Sequence, residues 1–156
     1  MVLCCSWLQA ATIDASVNLG QIELGDQVRY LEDPGGTLTY DDIRHRQDWR
    51  RTDRSTFSQG YSTSAWWLSL ELQNPQPQTS WLLEFAYPVL DHLQVYVRYE
   101  DGRLQEFILG DKLPFWSRPI QHHNFLVPLT LDTGTKAQVY IRVESTSSLM
   151  VPIILW

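Results

Sequence analysis

The stretch Y-S-T-S-A-W-W-L-S-L-E-L-Q-N-P, which runs from Tyr61 to Pro75, has the clearest structural pattern in the chain. Its middle residues form two alternating sets, an apolar one (Trp66, Leu68, Leu70, Leu72) and a more polar one (Trp67, Ser69, Glu71, Gln73). Successive side chains of a β-strand point to opposite faces, so the alternation predicts a strand with one apolar face. Asn74-Pro75 ends the strand, because proline lacks the N–H that a sheet ladder needs.

The same alternation of apolar and polar residues recurs along the chain. Turn signals separate the repeats, for example Asp101-Gly102, a dipeptide typical of hairpins. The other predicted strands lie at residues 14–24, 28–31, 81–87, 92–99, 104–109, 125–131, 139–143 and 151–155. Short strands between turns predict an all-β fold, an antiparallel β-sandwich of the jelly-roll type.

One short helix is expected near residues 40–48. Thr39 is a good N-cap residue, and Asp42 falls in the first turn, where the helix dipole favours a negative charge. This region also holds the one basic patch of the sequence, Arg44, Arg46, Arg50, Arg51 and Arg54. Because Asp41, Asp42, Asp48 and Asp53 balance these charges, the patch is interpreted as a solvated surface.

Composition restricts the kinds of function. A chain of 156 residues with 44% hydrophobic residues is long enough for one domain with its own core. Its 12 basic and 18 acidic residues give a net charge of −6, which argues against a nucleic-acid or anionic-membrane surface. Charged residues make up only 19%, and the chain has seven Trp and seven Tyr. This composition favours an extracytoplasmic all-β recognition module.

Residues 1–11, M-V-L-C-C-S-W-L-Q-A-A, are a short apolar run that ends in small residues. They are interpreted as the remnant of a secretory signal, with residues 12–156 as a single domain. Both cysteines, Cys4 and Cys5, lie in this run, so no disulfide is expected in the mature domain. No run of about 20 apolar residues is present, so no membrane-spanning segment is predicted.

The polar-parity face of neighbouring strands is the first candidate ligand surface. Aromatic rings stack on the C–H faces of sugars, and sugar hydroxyls need fixed polar partners. The alternative is that the aromatic residues form cross-strand pairs that stiffen the sheet, with a second layer covering Trp67. The residues of this surface are Trp67, Gln94, Tyr96, Arg98, Tyr140, Arg142 and Glu144.

The loop at residues 110–124 is the second candidate, since loops on a rigid scaffold often bind ligands. The alternative is structural: Arg118 pins the loop by pairing with a carboxylate, with Asp91 or Glu144 as the partner. A transition-metal site at His122-His123 is not favoured, because no third ligand follows from the spacing. The residues in question are Asp111, Trp116, Arg118, His122, His123 and Asn124.

Calcium is a third ligand considered. Ca²⁺ takes six to eight oxygen ligands, and several aspartates lie in or beside turns where carbonyl groups are also available. No EF-hand loop is present in the sequence, so a site would have to be assembled from distant segments. The candidate ligands are Asp33, Asp91 and Asp111, with Asp101 as a further turn aspartate.

An enzymatic role is not expected. A glycosidase would need two carboxylates across a cleft, and Glu71, Glu84 and Glu144 are available, but outward carboxylates occur on any soluble sheet. The sequence contains no serine-hydrolase, zinc-peptidase or phosphate-loop motif. The domain is therefore predicted to bind rather than to catalyse.

Five segments resemble one known family in their order and spacing. They are Y-L-E-D-P-G-G-T-L-T-Y-D-D-I (30–43), A-W-W-L-S-L-E-L-Q-N-P (65–75), E-F-A-Y-P-V-L-D-H-L-Q-V-Y-V (84–97), G-D-K-L-P-F-W-S-R-P-I-Q-H-H-N-F-L-V-P-L-T-L (110–131) and Y-I-R-V-E-S-T-S-S-L-M-V-P-I-I-L-W (140–156). The chain is similar to the type 2 extracellular sensor domain of bacterial seven-transmembrane receptors with diverse intracellular signalling modules. The resemblance extends from about residue 20 to residue 156.

This resemblance implies a jelly roll similar to carbohydrate-binding modules, placed in the periplasm as part of an inner-membrane receptor. In such receptors a seven-transmembrane region leads to a histidine kinase or a diguanylate cyclase. The implied partners are a glycan or Ca²⁺ ligand and the rest of the receptor, with a homodimer left open. The alternative is the carbohydrate-binding module of a secreted glycoside hydrolase, which shares the fold.

Overall fold

The computed structural model describes residues 11–12 and 20–156 and confirms an antiparallel β-sandwich. One α-helix, α1 (Tyr40–Ile43), and two 3-10 turns, Gly25–Gln27 and Phe115–Ser117, are the helices of this described part. None of them is long and apolar enough to cross a membrane. The strands are β1 (Ala11–Thr12), β2 (Ile22–Glu23), β3 (Arg29–Asp33), β4 (Arg50–Arg51), β5 (Phe57–Tyr61), β6 (Ala65–Gln73), β7 (Ser80–Phe85), β8 (His92–Tyr99), β9 (Leu104–Leu109), β10 (Phe125–Thr130), β11 (Lys136–Glu144), β12 (Ser148–Val151) and β13 (Ile153–Leu155).

The larger sheet is built around β6, the strand predicted from the alternation after Tyr61. Its strand order is β4-β3-β6-β11-β8-β9, and β6 pairs antiparallel with β3 and β11. β1 pairs parallel with the end of β6, so that Ala11 lies opposite Leu72. The rest of the predicted signal remnant, residues 1–10, lies outside the described residues, as does most of the strand predicted at 14–24. That domain boundary therefore stays a prediction.

The smaller sheet has the order β10-β7-β13-β2, and β12 and β5 form a separate two-stranded sheet. The two main sheets share one hydrophobic core, since Leu68 and Leu70 of β6 belong to the same buried cluster as Leu83 and Phe85 of β7. These are the apolar-parity residues of the sequence pattern. Burial of this face, at about 25 cal/mol per Å² of apolar surface, is the main stabilising contribution.

The predicted helix is present but shorter than expected. Thr39 and Asp42 form a capping box, in which each side chain bonds the other residue's backbone N–H. α1 nevertheless ends at Ile43 rather than near residue 48. Other hydrogen bonds replace the helical ones: the indole N–H of Trp49 donates to Arg46 O at 3.1 Å, and Arg46 bonds Asp48.

The predicted last strand, 151–155, is two strands in different sheets. β12 pairs with β5, whereas β13 lies between β7 and β2 in the smaller sheet. Pro152 separates them, because it has no N–H to continue a ladder. Its carbonyl accepts the N–H of Ala86 at 3.1 Å, which fixes the point where the chain changes sheet.

Candidate ligand-binding groove

The outer face of the larger sheet, which points away from the core, carries three rows of side chains fixed by strand register. The middle row contains Arg29, Ser69, Tyr140, Tyr96 and Glu106. The row on one side contains Leu31, Trp67, Arg142, Gln94 and Ile108, and the row on the other side contains Glu71, Gln138, Arg98 and Leu104. The sequence pattern therefore placed the predicted strand residues on the correct face.

Residues 34–49, here called the cover, pass over part of this face. Ile43 of α1 is fully buried and clusters with Leu31, Trp67 and Tyr140. Tyr40 stacks on the ring of Tyr96, with 4.9 Å between ring centroids. The cover therefore buries Leu31, Trp67 and Tyr140. Ile108, in the same row as Trp67, stays exposed, and the row of Glu71 and Gln138 stays accessible.

Trp67 is not a ligand surface. Its exposed fraction is 0%, and its ring lies against Tyr96 with 6.0 Å between centroids. The prediction that Trp67 contacts a ligand is therefore wrong, and the second layer that the sequence left open as an alternative is the cover. A large apolar side chain at a polar-parity position is explained by this local third layer.

Tyr140 and Tyr96 are also covered rather than displayed. Tyr140 is 8% exposed and meets Tyr40 edge-on at 5.5 Å, while Tyr96 is half-buried. Burial raises the pKa of both phenols above the ordinary value of 10.0, and Tyr40 raises the pKa of Tyr140 further, as Glu106 does for Tyr96. Both side chains therefore stay neutral at physiological pH. The open platform of rings expected from the sequence is absent among the described residues.

Arg142 holds the cover in place. Its Nη2 donates to the carbonyl oxygen of Gly36 at 3.1 Å and to Glu144 Oε2 at 3.2 Å. Asp33 fastens the same turn, because its carboxylate accepts the backbone N–H groups of Thr37 and Leu38 at 3.2 and 2.9 Å. Arg142, Glu144 and Asp33, all considered as ligand or metal contacts, thus have structural partners.

Where the cover ends, a groove opens on the remaining part of the outer face. Two adjoining hollows, of about 180 and about 310 Å³, share Glu71, Gln138 and Tyr140. The groove is defined here by these three residues, by Ser69 in its floor and by the residues along its sides. The side residues are Arg29, Arg44, Arg46 and Trp49 of the first hollow and Arg98 and Lys136 of the second.

The chemistry of the groove combines ring edges with polar groups. Trp49 is half-buried and packs against Tyr140 at 6.1 Å, which leaves part of its ring at the groove. In the floor, Gln138 Nε2 donates to Ser69 Oγ at 2.7 Å and to the carbonyl of Leu70 at 3.1 Å, so its amide is held in one orientation. Such a site offers a stacking surface beside fixed hydrogen-bonding groups.

Of the residues in this groove, Arg98 and Tyr140 are predicted as ligand contacts from the sequence, whereas most of the other members are not. Glu71 and Gln138 share the parity of Trp67 and Tyr140, so the strand alternation contained the signal for both. Arg29 is also on the outer face, but its strand is short and gave a weak pattern. Trp49 lies in the cover, whose position over the sheet has no periodic signal.

The loop at residues 110–124 is pinned by Arg118, although not by a carboxylate. Arg118 Nη1 donates to the carbonyl oxygens of His122 and His123 at 2.6 and 3.0 Å. Its guanidinium also lies over the rings of Phe115 and Phe125, at 4.9 and 4.6 Å from the ring centroids. The structural alternative for Arg118 fits these contacts, but the partner expected from the sequence, Asp91 or Glu144, is wrong.

The polar residues at the end of this loop have protein partners as well. His122 Nδ1 accepts the backbone N–H of Asn124 at 3.2 Å, and Asn124 Nδ2 donates to Glu84 Oε1 at 2.6 Å. The indole N–H of Trp156 bonds the other oxygen of Glu84 at 2.5 Å. Trp116, by contrast, is 75% exposed and remains a free aromatic surface on the loop.

The aspartates considered for Ca²⁺ are not brought together. Among the described residues, no group of three or more His, Cys, Asp and Glu side chains is arranged to hold a metal ion. Asp33 is used by the cover, Asp91 accepts hydrogen bonds from Thr146, and Asp111 is exposed in its loop. The structure therefore gives no support to a site made of these three residues.

A separate hollow, which is not part of the groove, lies at one end of the larger sheet and has a volume of about 750 Å³. Its lining includes Asp91, Lys112, Glu32 and Thr146. Its acidic groups have protein partners: Glu32 accepts the hydroxyl of Ser64 at 2.7 Å, and Asp91 accepts both the hydroxyl and the N–H of Thr146. We interpret these hydrogen bonds as structural contacts that hold together the loops at this end of the sheet.

Stability should depend on pH through Asp91. The hydrogen bonds from Thr146, the largest cause, lower the pKa of Asp91 below the ordinary 3.8, so the folded state favours the carboxylate. This contribution is complete above the pKa of the unfolded chain and is lost as the pH falls through the folded pKa. We expect Asp91→Asn to cost about 1 kcal/mol at neutral pH and progressively less as the pH is lowered below 3.8, as measured by urea unfolding over this range. The matched control is Asp111→Asn, and a cost for Asp91→Asn that is independent of pH would contradict this role.

The fold and the groove together describe a scaffold with one accessible surface. In this antiparallel β-sandwich the sheets hold a polar, aromatic-edged groove on one face, a shape and chemistry that suit a ligand. The model of the family 7TMR-DISM extracellular 2 matches residues 25–156, and the chain belongs to this family. It is thus a sensor-type, extracytoplasmic domain of the kind found in seven-transmembrane receptors. No curated protein matches the chain in sequence.

Several solved structures are similar in fold. A carbohydrate-binding module in complex with β-1,4-galactotriose has 11% identity and a TM-score of 0.35, with 87% of this chain and 86% of that chain covered. A carbohydrate-binding module of the β-sandwich superfamily has 13% identity and a TM-score of 0.34, with coverage of 87% and 54%. A family GH115 4-O-methyl-α-glucuronidase with specificity for decorated arabinogalactans has 9% identity and a TM-score of 0.40, and the chain covers only 17% of it. Likeness at these TM-scores assigns no ligand to the chain.

Proposed function

We propose that this chain is the periplasmic ligand-sensing domain of a membrane-bound receptor and that it binds a glycan in the groove. The observation that carries the proposal is the meeting of Trp49, Gln138 and Ser69 in one accessible hollow. The ring of Trp49 supplies a stacking surface, and the oriented amide and hydroxyl supply partners for sugar hydroxyls. The family supports a receptor rather than the hydrolase module that shares this fold.

Binding at the groove acts on the receptor by shifting a conformational equilibrium. A ligand shifts such an equilibrium only by the difference between its affinities for the two states. The cover forms one wall of the groove and is held on the sheet by Arg142 and Asp33. A glycan that touches both the sheet and the cover therefore favours the arrangement in which the cover is seated, and the attached kinase or cyclase reads that state.

Calcium stays a prediction from the sequence, and a homodimer stays an open alternative. Ca²⁺ needs six to eight oxygen ligands, and the part of the chain that the structure describes holds no acidic cluster for it. The groove, by contrast, is already formed. The proposal therefore puts the glycan first and assigns the domain no catalytic step.

The test is a glycan-binding titration with two tryptophan variants. Trp49→Ala removes the stacking ring of the groove, and Trp116→Ala removes the exposed ring of the 110–124 loop as a matched control. We expect calorimetry to show weak glycan binding by the wild type, a loss of about five- to tenfold for Trp49→Ala, and no change for Trp116→Ala. Loss of binding in Trp116→Ala alone would move the site to the loop, and hydrolysis of a bound glycan would contradict a binding role.

A further inference from the structure

Positive charge is concentrated around the groove of an otherwise acidic chain. The net charge of the whole sequence is −6. The groove nevertheless has more basic than acidic side chains in its lining. The basic ones are Arg29, Arg44, Arg46, Arg98 and Lys136, and the acidic ones are Glu71 and Glu100.

Three of these basic groups are neutralised by neighbours on the protein. Lys136 Nζ lies 3.1 Å from Glu71 Oε1, and Arg46 Nη2 lies 2.5 Å from Asp48 Oδ2. Arg44 Nε lies 3.0 Å from Asp41 Oδ1, although without hydrogen-bond geometry. The side chains of Arg29 and Arg98 have no ion pair or hydrogen bond within the described residues. These two guanidinium groups are therefore available to an anion.

Arg29 lies beside another arginine on the neighbouring strand. It is half-buried on β3 and lies opposite Arg51 of β4 on one side and Ser69 of β6 on the other. Like charges directly opposite each other on neighbouring strands are destabilising. A carboxylate or sulfate at the groove would relieve this repulsion and would accept a bidentate hydrogen bond from the guanidinium.

Arg98 lies at the other end of the same groove. It is on β8, opposite Gln138 of β11, whereas Arg29 is on β3. Neighbouring strands are about 4.8 Å apart, and Arg98 lies one row, or two residues, along the strands from Arg29; the backbones of the two arginines are therefore separated by about 16 Å across β6 and β11. Ser69 and Gln138, the fixed polar groups of the floor, lie between them.

From these contacts we infer that the ligand of the groove is an acidic oligosaccharide, with one anionic group on Arg29 and another on Arg98. The inference rests on the proposed glycan-binding function and names its ligand class. The anionic group is a carboxylate or a sulfate ester, since both offer the oxygen geometry that guanidinium recognises. Sugar units between the two anionic groups lie over Ser69 and Gln138 and beside Trp49.

The experiment is a set of calorimetric titrations of the full chain with three matched probes. They are tetragalacturonate, its carboxyl-reduced neutral counterpart, and a sulfated galactotetraose. We expect one of the acidic probes to bind at least about tenfold more tightly than the neutral one, and the preferred probe identifies the anionic group. We also expect this preference to decrease between about 20 mM and about 200 mM NaCl, because salt screens exposed charges.

The variants are Arg29→Gln and Arg98→Gln, with Arg54→Gln as the control, an exposed arginine outside the groove. Each of the first two should lose about tenfold in affinity for the acidic probe and little for the neutral probe, while the control stays at wild-type affinity. Arg98 is exposed on β8, so its variant tests the inference even where Arg29→Gln alters the sheet. Circular dichroism and urea unfolding check the fold of each variant.

The outcomes separate the two proposals. Equal binding of acidic and neutral probes, or unchanged affinity in both arginine variants, overturns the acidic-ligand inference and leaves glycan binding standing. Absence of binding by all three probes overturns both. A separate titration with inorganic sulfate checks the role of the sugar chain: binding as tight as that of the sulfated probe contradicts an oligosaccharide ligand.

Discussion

Replacing Trp67 with alanine is expected to destabilise the domain by about 3–5 kcal/mol, rather than to weaken ligand binding in a folded protein. Trp67 is 0% exposed, and it is the largest fully buried side chain in the cluster that joins the cover to the sheet. Its removal would leave a cavity between Ile43 of α1 and Tyr96 of β8, and packed interiors collapse only in part. Guanidinium chloride unfolding followed by circular dichroism measures the loss.

The matched variant is Trp67→Phe, which keeps an aromatic ring in the cluster. The indole N–H of Trp67 has no hydrogen-bond partner among the described residues. A buried donor without a partner lowers the stability of the folded state, and phenylalanine removes this donor. We expect Trp67→Phe to cost clearly less than Trp67→Ala. If Trp67→Ala unfolded at the same denaturant concentration as the wild type, the cover would not bury this residue.

Asn74→Ala is expected to cost about 2–4 kcal/mol, the second large effect. Asn74 is 0% exposed, and its Nδ2 donates to the carbonyls of Gln78 and Leu131, at 2.7 Å in each case. Its Oδ1 accepts the N–H of Gln76 at 2.9 Å. Alanine would leave two backbone carbonyls and one backbone N–H without their side-chain partner. These groups lie where the end of β6, in the larger sheet, meets the segment before β7 and the end of β10, which both belong to the smaller sheet.

Urea unfolding of Asn74→Ala should be compared with Thr133→Ala in the adjoining turn. Thr133 makes one exposed hydrogen bond, to the carbonyl of Gln76, so its loss should change stability by less than about 0.5 kcal/mol. Asn74→Asp keeps the acceptor and loses both donors, and we expect it to resemble Asn74→Ala. Equal, small effects of all three variants would mean that the two sheets do not depend on this residue.

Strand alternation predicted the fold where one face of a strand meets the core. β6, β8 and β10 were placed within one or two residues of their observed ends, because each alternates apolar and polar residues over its length. β5 was missed, since F-S-Q-G-Y shows no alternation and contains Gly60 with a φ of +62°. β4 has only two residues and gives no periodic signal.

The site was harder to predict than the fold. Parity correctly put Trp67, Arg98 and Tyr140 on one face. It gave no information on which of them the cover would bury, because contact between residues 34–49 and the sheet is tertiary and non-local. The capping box at Thr39 and Asp42 was readable from sequence because it is local, whereas the stacking of Tyr40 on Tyr96 was not.

The most direct test is ligand titration of the ¹⁵N-labelled chain by NMR, with the tightest-binding oligosaccharide from the calorimetry. We predict that the shifts concentrate on the amides of Ser69, Glu71 and Gln138 and on the indole N–H of Trp49, which surround the groove. Residues 110–124 and the hollow at the end of the larger sheet should shift little. Shifts confined to that loop or that hollow, with the groove unchanged, would contradict the proposed binding surface.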